Sequence, residues 1–251
     1  MALFKNAYDS HQHSLEVLNI LYGYDSFLDN LSSIADMGCG AGMDAEWWAN
    51  LYTRDDPPLP HNYKVYAVDQ KVDQIEPEIL AGSPNIVPVK VNFEEVPIGR
   101  RVDLIWSHDT FQYARDPFKC LALWKQTLNV NGMLILSIPQ TTYMYNNRLV
   151  VTNHSQQYYS YNILNLMYML AISGFDCRDA YFYRKENSPW LYAGVYASEH
   201  DPLPNHASWH DLADRNLIND SLKDSLNKYG YARLEDLVVC WFDKNLYKIS
   251  N

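Results

Sequence analysis

At 251 residues, 47% of them hydrophobic and 20% charged, the chain is long enough for one large domain with a substantial core. Its formal net charge of −10, from 20 Lys+Arg against 30 Asp+Glu, gives little of the attraction to phosphate that nucleic-acid binders use, which speaks against DNA or RNA as partners. No run approaches the roughly 18 apolar residues of a membrane span, and the first residues lack a signal-peptide core, so a cytoplasmic protein is expected.

Residues 1–32 place Leu15, Leu18, Leu21 and Tyr22, then Phe27, Leu28 and Leu31, at spacings that predict one or two amphipathic helices. The polar run before them contains Asp9 and Ser10, and reads either as a helix cap or as a cover over a bound ligand. Next comes an apolar lead-in, Ile34 and Ala35, then Asp36, then glycines at alternate positions, Gly38, Gly40 and Gly42, with a helix-like run over 43–52 directly behind them. That predicts strand, tight turn, helix. Glycine tolerates positive φ there and lets a ligand approach the backbone, and N–H groups at a helix start are free to meet its polar atoms. A dinucleotide-binding Gly-x-Gly-x-x-Gly turn would need glycine at position 43, where Met43 stands, so a nicotinamide cofactor is disfavoured.

Trp47, Trp48 and Leu51 fall at helical spacing and should pack on a sheet, and the proline-rich 53–62 predicts an exposed loop. Residues 63–68 alternate into a second strand ending at Asp69, with a helix over 72–80. Residues 86–91 predict a third strand, followed by Asn92 and Phe93. A fourth covers 102–107, with His108, Asp109, Thr110, Phe111, Gln112 and Tyr113 at its carboxyl end. A helix over 117–128, an Asn131-Gly132 turn and a buried fifth strand over 133–139 come next. The stretch 140–160 carries Tyr143, Tyr145, His154, Tyr158 and Tyr159, and suits an amphipathic pocket wall or a packing loop equally. A helix over 161–175, a sixth strand from Phe175 and a seventh over 190–198 precede a helical tail, 205–251, with Leu212, Leu217, Leu222 and Leu226. The tail could pack on the core or mediate self-association, and the oligomeric state stays open. Four isolated cysteines, Cys39, Cys120, Cys177 and Cys240, read as reduced thiols, and eight scattered histidines lack metal-ligand spacing, so no metal is expected.

The order of these segments resembles the class I S-adenosylmethionine (SAM) dependent methyltransferases, in particular the group acting on small molecules, over about residues 34–198. The resemblance implies an α/β fold: a doubly wound, seven-stranded, mostly parallel sheet with helices on both faces and the seventh strand antiparallel. It implies a helical cover at 1–32, a methyltransferase domain at 33–200 and a helical extension at 201–251 packed on the same domain. SAM would be the methyl donor, S-adenosylhomocysteine the product and a small molecule the acceptor. Asp36 would hold the amino group, with Gly38, Cys39, Gly40 and Gly42 against the methionyl part. Asp69 and Gln70 would meet the ribose hydroxyls, although Asp69 also suits a helix cap. Asn92, where the family usually carries an acid, and Phe93 would meet the adenine, and Ser107, His108 and Phe111 would border the transferred methyl. An aromatic such as Phe111 or Tyr113 could face the sulfonium. The (Asn/Asp)-Pro-Pro-(Tyr/Phe) run of enzymes that methylate adenine or cytosine nitrogens is absent after the fourth strand. His108 and His154 are the candidate bases for an acceptor that must lose a proton, each also readable as a structural or surface histidine. Two other functions fit the pattern: an aminopropyl transferase on the same fold, and a SAM-binding protein without catalysis.

Overall fold

The computed structural model describes residues 30–51, 60, 62–95, 98–139, 142–146, 148–151, 158–184, 190–204 and 206–232. The expected N-terminal cover, His154 and the apolar run beyond 233 lie outside them. Strand β1 (Ser33–Met37) pairs in parallel with β2 (Lys64–Asp69) on one side and β4 (Val102–His108) on the other. β3 (Ile86–Lys90) extends the sheet beyond β2, and β5 (Leu128–Pro139) extends it beyond β4. A hairpin of β6 (Thr142–Tyr145) and β7 (Arg148–Val151) stands apart from the sheet. β8 (Phe175–Arg184) and β9 (Trp190–Ala197) complete the order β3-β2-β1-β4-β5-β9-β8, with β9 antiparallel to both its neighbours.

The parallel strands are apolar at nearly every position because both faces are covered, and alternate residues feed two separate cores. Ile34, Val65, Ala67, Leu104, Trp106, Met133 and Ile135 pack on one face under α1 (Met43–Ala49) and α2 (Pro77–Gly82), where Trp47, Trp48 and Ile79 meet them. Ala35, Met37, Tyr66, Val68, Ile105, Leu134 and Leu136 pack on the other under α3 (Pro117–Thr127) and α4 (Ile163–Ile172). Two further helices, α5 (Trp209–Asp214) and α6 (Asp220–Tyr229), join that second core through Leu212, Leu222 and Leu226, with Leu217 between them. Those leucines of the tail are therefore buried in this chain's own core.

Two elements differ from the sequence expectation. The helix expected over 72–80 is split into a 3₁₀ turn, Val72–Gln74, and α2, because Pro77 can only begin a helix and pushes Glu76 into extended backbone. The Asn131-Gly132 turn lies inside β5: the register jumps from Val102 opposite Leu128 to Leu104 opposite Met133, and Asn131 takes φ +61° in the resulting bulge. Among the described residues no helix is long and apolar enough to cross a membrane.

Candidate active site

The turn between β1 and α1 takes its shape from its glycines. Gly38, Gly40 and Gly42 all have positive φ, +78°, +52° and +89°, the left-handed region that side chains resist. The N–H groups of Gly38 and Cys39 both donate to the carbonyl of Val68, at 2.8 and 3.1 Å, and that of Gly40 donates to Asp69 Oδ2 at 3.2 Å. Asp69 Oδ1 accepts from the N–H of Lys71 at 2.9 Å. One carboxylate thus ties the glycine turn to the end of β2, and each of its oxygens retains a second lone pair.

The glycines differ in surroundings. A Cβ on Gly38 would meet the Thr110 side chain, and one on Gly42 would stand 2.8 Å from Ile75 Cγ2, but one on Gly40 meets nothing within 4 Å. Gly40 opens into a cavity of about 400 Å³ bordered by Asp36, Asp44, His108, Asp109, Thr110 and Trp190, at the carboxyl ends of β1 and β4, where ligands sit in open α/β sheets. Gly40→Ala is expected to cost only about 1–2 kcal/mol of stability, the left-handed strain, yet to weaken SAM binding by more than tenfold. Denaturant unfolding and calorimetric titration of one preparation check both halves.

Asp36 is buried at 2% exposure, and its Oδ2 has no hydrogen-bond partner among the described residues. Burial, and then the charge of Asp44, hold this carboxyl well above the usual range, with Asp69 adding a little and a backbone hydrogen bond from Ala45 opposing. An unpartnered buried carboxylate oxygen beside open backbone fits a ligand that carries a cationic donor, as the ammonium of SAM does. Burial, helped by Asp36 and Asp69, pushes the Cys39 thiol far up, so it stays protonated and is no nucleophile.

A second cavity, about 250 Å³, is bordered by Gln70, Lys90, Val91, Asn92 and Glu95 beyond the ends of β2 and β3. Asn92 Oδ1 accepts from the N–H of Glu94 at 3.0 Å, so the oxygen expected to face an adenine amino group already fixes its own loop. Two larger clefts, about 550 Å³ beside Arg100 and Lys119 and about 600 Å³ beside Tyr168 and Trp209, lie away from the glycine turn. The smaller pair lies at the carboxyl ends of the strands and takes in Gly38, Gly40 and the buried Asp36 and Asp44, which makes it the candidate site.

Three expected contacts are placed elsewhere. Phe111 is fully buried, its ring 5.6 Å from Trp124 and 5.7 Å from Tyr161, so it builds core rather than facing a sulfonium. Ser107 is buried within β4 and does not border the cavity, because alternation sends His108 to that side and Ser107 to the other. Phe93 packs on Trp124 with ring centroids 6.2 Å apart, while its carbonyl accepts from the Trp124 indole at 2.8 Å. His108 does line the cavity, and with it comes a residue that the sequence reading missed. Asp44 Oδ2 lies 2.9 Å from His108 Nδ1 and accepts from Trp106 Nε1 at 2.8 Å. No group of three metal-ligating side chains occurs among the described residues.

Residues 35–136 match the family model described as a methyltransferase domain. A methyltransferase from Mesorhizobium loti, named as S-adenosylmethionine dependent, aligns at 14% identity and TM-score 0.52 over 74% of this chain and 97% of that one. Magnesium protoporphyrin IX methyltransferase from Synechocystis PCC 6803, solved with bound SAM, aligns at 15% identity and TM-score 0.52 over 75% and 80%. The CcbJ methyltransferase from Streptomyces caelestis gives 14% and 0.52 over 71% and 88%. At these identities the likeness is one of fold. No curated protein matches the sequence significantly.

Proposed function

We infer that this chain, which carries a class I SAM-dependent methyltransferase domain, transfers a methyl group to a small molecule entering between His108 and Trp190. The observation that carries the reading is the buried, unpartnered Asp36 oxygen beside the open face of Gly40. When bound, SAM supplies a methyl already activated by its sulfonium. The protein is left to hold the donor and to set an acceptor in line with it. Asp36 would take the ammonium, the turn at Gly38 and Gly40 would admit the methionyl chain, and Asp69 would accept from the ribose hydroxyls through its remaining lone pairs. Gln70 and Asn92 border the cavity suited to the adenine. Asp109 and Thr110 stand over the glycine turn, with the Thr110 hydroxyl donating to the His108 carbonyl at 3.1 Å, so that wall is fixed before any ligand arrives.

A small acceptor agrees with the net charge of −10, which suits neither DNA nor RNA, and with a cavity of about 400 Å³. A cytoplasmic location is part of the same proposal. The test is calorimetric titration of ligand-stripped protein with SAM, S-adenosylhomocysteine and NAD. Micromolar binding of the first two and none of NAD is the expected result. Asp69→Ala should weaken binding by tenfold or more, since hydrogen bonds to a charged group contribute about 1.5–3 kcal/mol. Folded wild-type protein that binds neither sulfur ligand would refute the reading.

A further inference from the structure

We propose that the cleft beside Tyr168 and Trp209 is a docking groove, and that its occupant is this chain's own segment 234–246. The inference stands apart from methyl transfer and does not depend on it.

The groove, about 600 Å³, lies where α4, α5 and the end of α6 come together. Leu164, Tyr168 and Trp209 form an apolar floor: each packs on the second core and is only partly buried, and the Tyr168 and Trp209 rings stand 5.4 Å apart. Polar groups around the rim are already used within the chain. The side chains of Asn162 and Asn165 each accept the other's backbone N–H at the start of α4, and the Asn165 amide donates to the Ser160 carbonyl at 2.6 Å. Ser208 Oγ donates to Asp211 Oδ2 at 2.7 Å, and the Tyr168 hydroxyl donates to the Ala207 carbonyl. A polar small molecule would exchange water for few partners there. An apolar side chain has no such cost and covers the aromatic pair.

The course of the chain singles out the occupant. α6 ends at Gly230, whose φ of +77° turns the backbone while its N–H donates to the Leu226 carbonyl at 2.8 Å. Ser225 Oγ donates to the Tyr231 carbonyl at 3.3 Å, so Gly230, Tyr231 and Ala232 are held along the groove as part of its lining. Arg233 comes next. Leu234, Leu237, Val238 and Trp241 then fall at i, i+3, i+4 and i+7, the anchor spacing of a helix laid into an apolar groove. Residues 237–242, Leu-Val-Val-Cys-Trp-Phe, are all apolar, and such a run needs cover from water. The chain thus delivers an apolar segment at the edge of an apolar groove, and docking takes both out of water. Tethering makes that docking intramolecular, with an effective concentration on the order of millimolar, which favours it over the same segment of a second copy.

Hydrogen–deuterium exchange of the full chain, read by mass spectrometry, tests this on wild type, on Trp209→Ala in the floor and on Trp241→Asp in the segment. Amides of 234–242 are expected to exchange about tenfold or more slowly than in a free synthetic peptide of residues 233–251. Trp241→Asp should remove most of that protection and speed exchange severalfold in 164–168 and 207–212, with β1 and β4 unchanged. Trp209→Ala should likewise release the segment. If Trp209→Ala fails to fold, seen as lost protection in β1, the Trp241→Asp variant decides alone, because segment and groove are both read in it. Exchange of 234–242 at the rate of the free peptide would overturn the proposal, as would a protected segment whose Trp241→Asp variant leaves 207–212 unchanged. Protection that disappears on dilution, together with a dimeric mass in light scattering, would assign the groove to a second copy's segment and overturn it equally.

Discussion

In the ligand-free protein at pH 8, Asp36→Asn should melt several degrees above the wild type, while its affinity for SAM falls by about one to two orders of magnitude. Both effects come from one carboxyl group. Asp36 is 2% exposed, its Oδ2 is unpartnered among the described residues, and burial together with Asp44 holds its titration well above the ordinary 3.8. The native state therefore keeps a proton that the unfolded chain releases. The corresponding stability is fully present below the unfolded value and is lost as pH rises through the raised native one, so the cost of burying this group grows as the pH climbs from 5 toward 8. Asparagine is isosteric, still accepts from the Ala45 N–H and carries no charge. Relief on the order of 1–3 kcal/mol is expected, at roughly 2–4 °C per kcal/mol for a chain of this size. The gap should narrow as the pH is lowered toward 5, which scanning calorimetry at several pH values would show. A variant that melts below wild type at every pH would mean that the charge stabilises the empty fold. The loss in affinity has the opposite cause: the ligand's cationic groups lose their counter-charge.

Gly38→Ala carries the largest expected loss of stability. A Cβ at this position would stand 2.2 Å from Thr110 Oγ1, 2.4 Å from its Cγ2 and 2.8 Å from its Cβ, on a backbone held at φ +78°. Left-handed strain contributes about 1–2 kcal/mol and forced overpacking about 1–3 kcal/mol, so a loss of roughly 3 kcal/mol is expected in urea unfolding. Thr110→Ala removes the two nearest atoms. The double variant should accordingly recover part of the loss, a coupling measurable as departure from additivity. Strict additivity would show that the Thr110 contact is not what excludes a side chain from position 38.

The strand and turn framework was legible because its signals are local. Alternation marked β2 and an apolar run marked β4, and glycines at every second position pointed to a turn of positive φ. Asp69 at the end of β2 followed from the same pattern. What escaped depends on partners distant in the chain. Asp44 shares the helical stripe of Trp47, Trp48 and Leu51, a position that implies burial. An acid in the first turn of a helix is also explained by the helix dipole, and the bonds to Trp106 and His108, distant in the chain, show why this one is inside. Phe111 looked available at the end of a strand. Asp109 takes φ +51°, however, and the 3₁₀ turn Phe111–Tyr113 directs the ring into the core beside Trp124. Pro77 and the β5 bulge show the same limit at element boundaries, where a residue's type was readable and its effect on neighbouring pairing was not.

The reversed direction of β9 divides the site between two parts of the gene. Every strand that feeds the glycine side of the cavity runs parallel and delivers its carboxyl end there, all before residue 111. Because β9 runs the other way, it delivers its first residue, Trp190, opposite Pro139 at that same rim. The glycine turn and the facing wall are thus encoded about eighty residues apart and meet only in the folded molecule. Mutations that remodel the wall around Trp190 can accumulate without altering the glycine turn, so on the function proposed above acceptor preference is free to diverge while the methyl source stays the same.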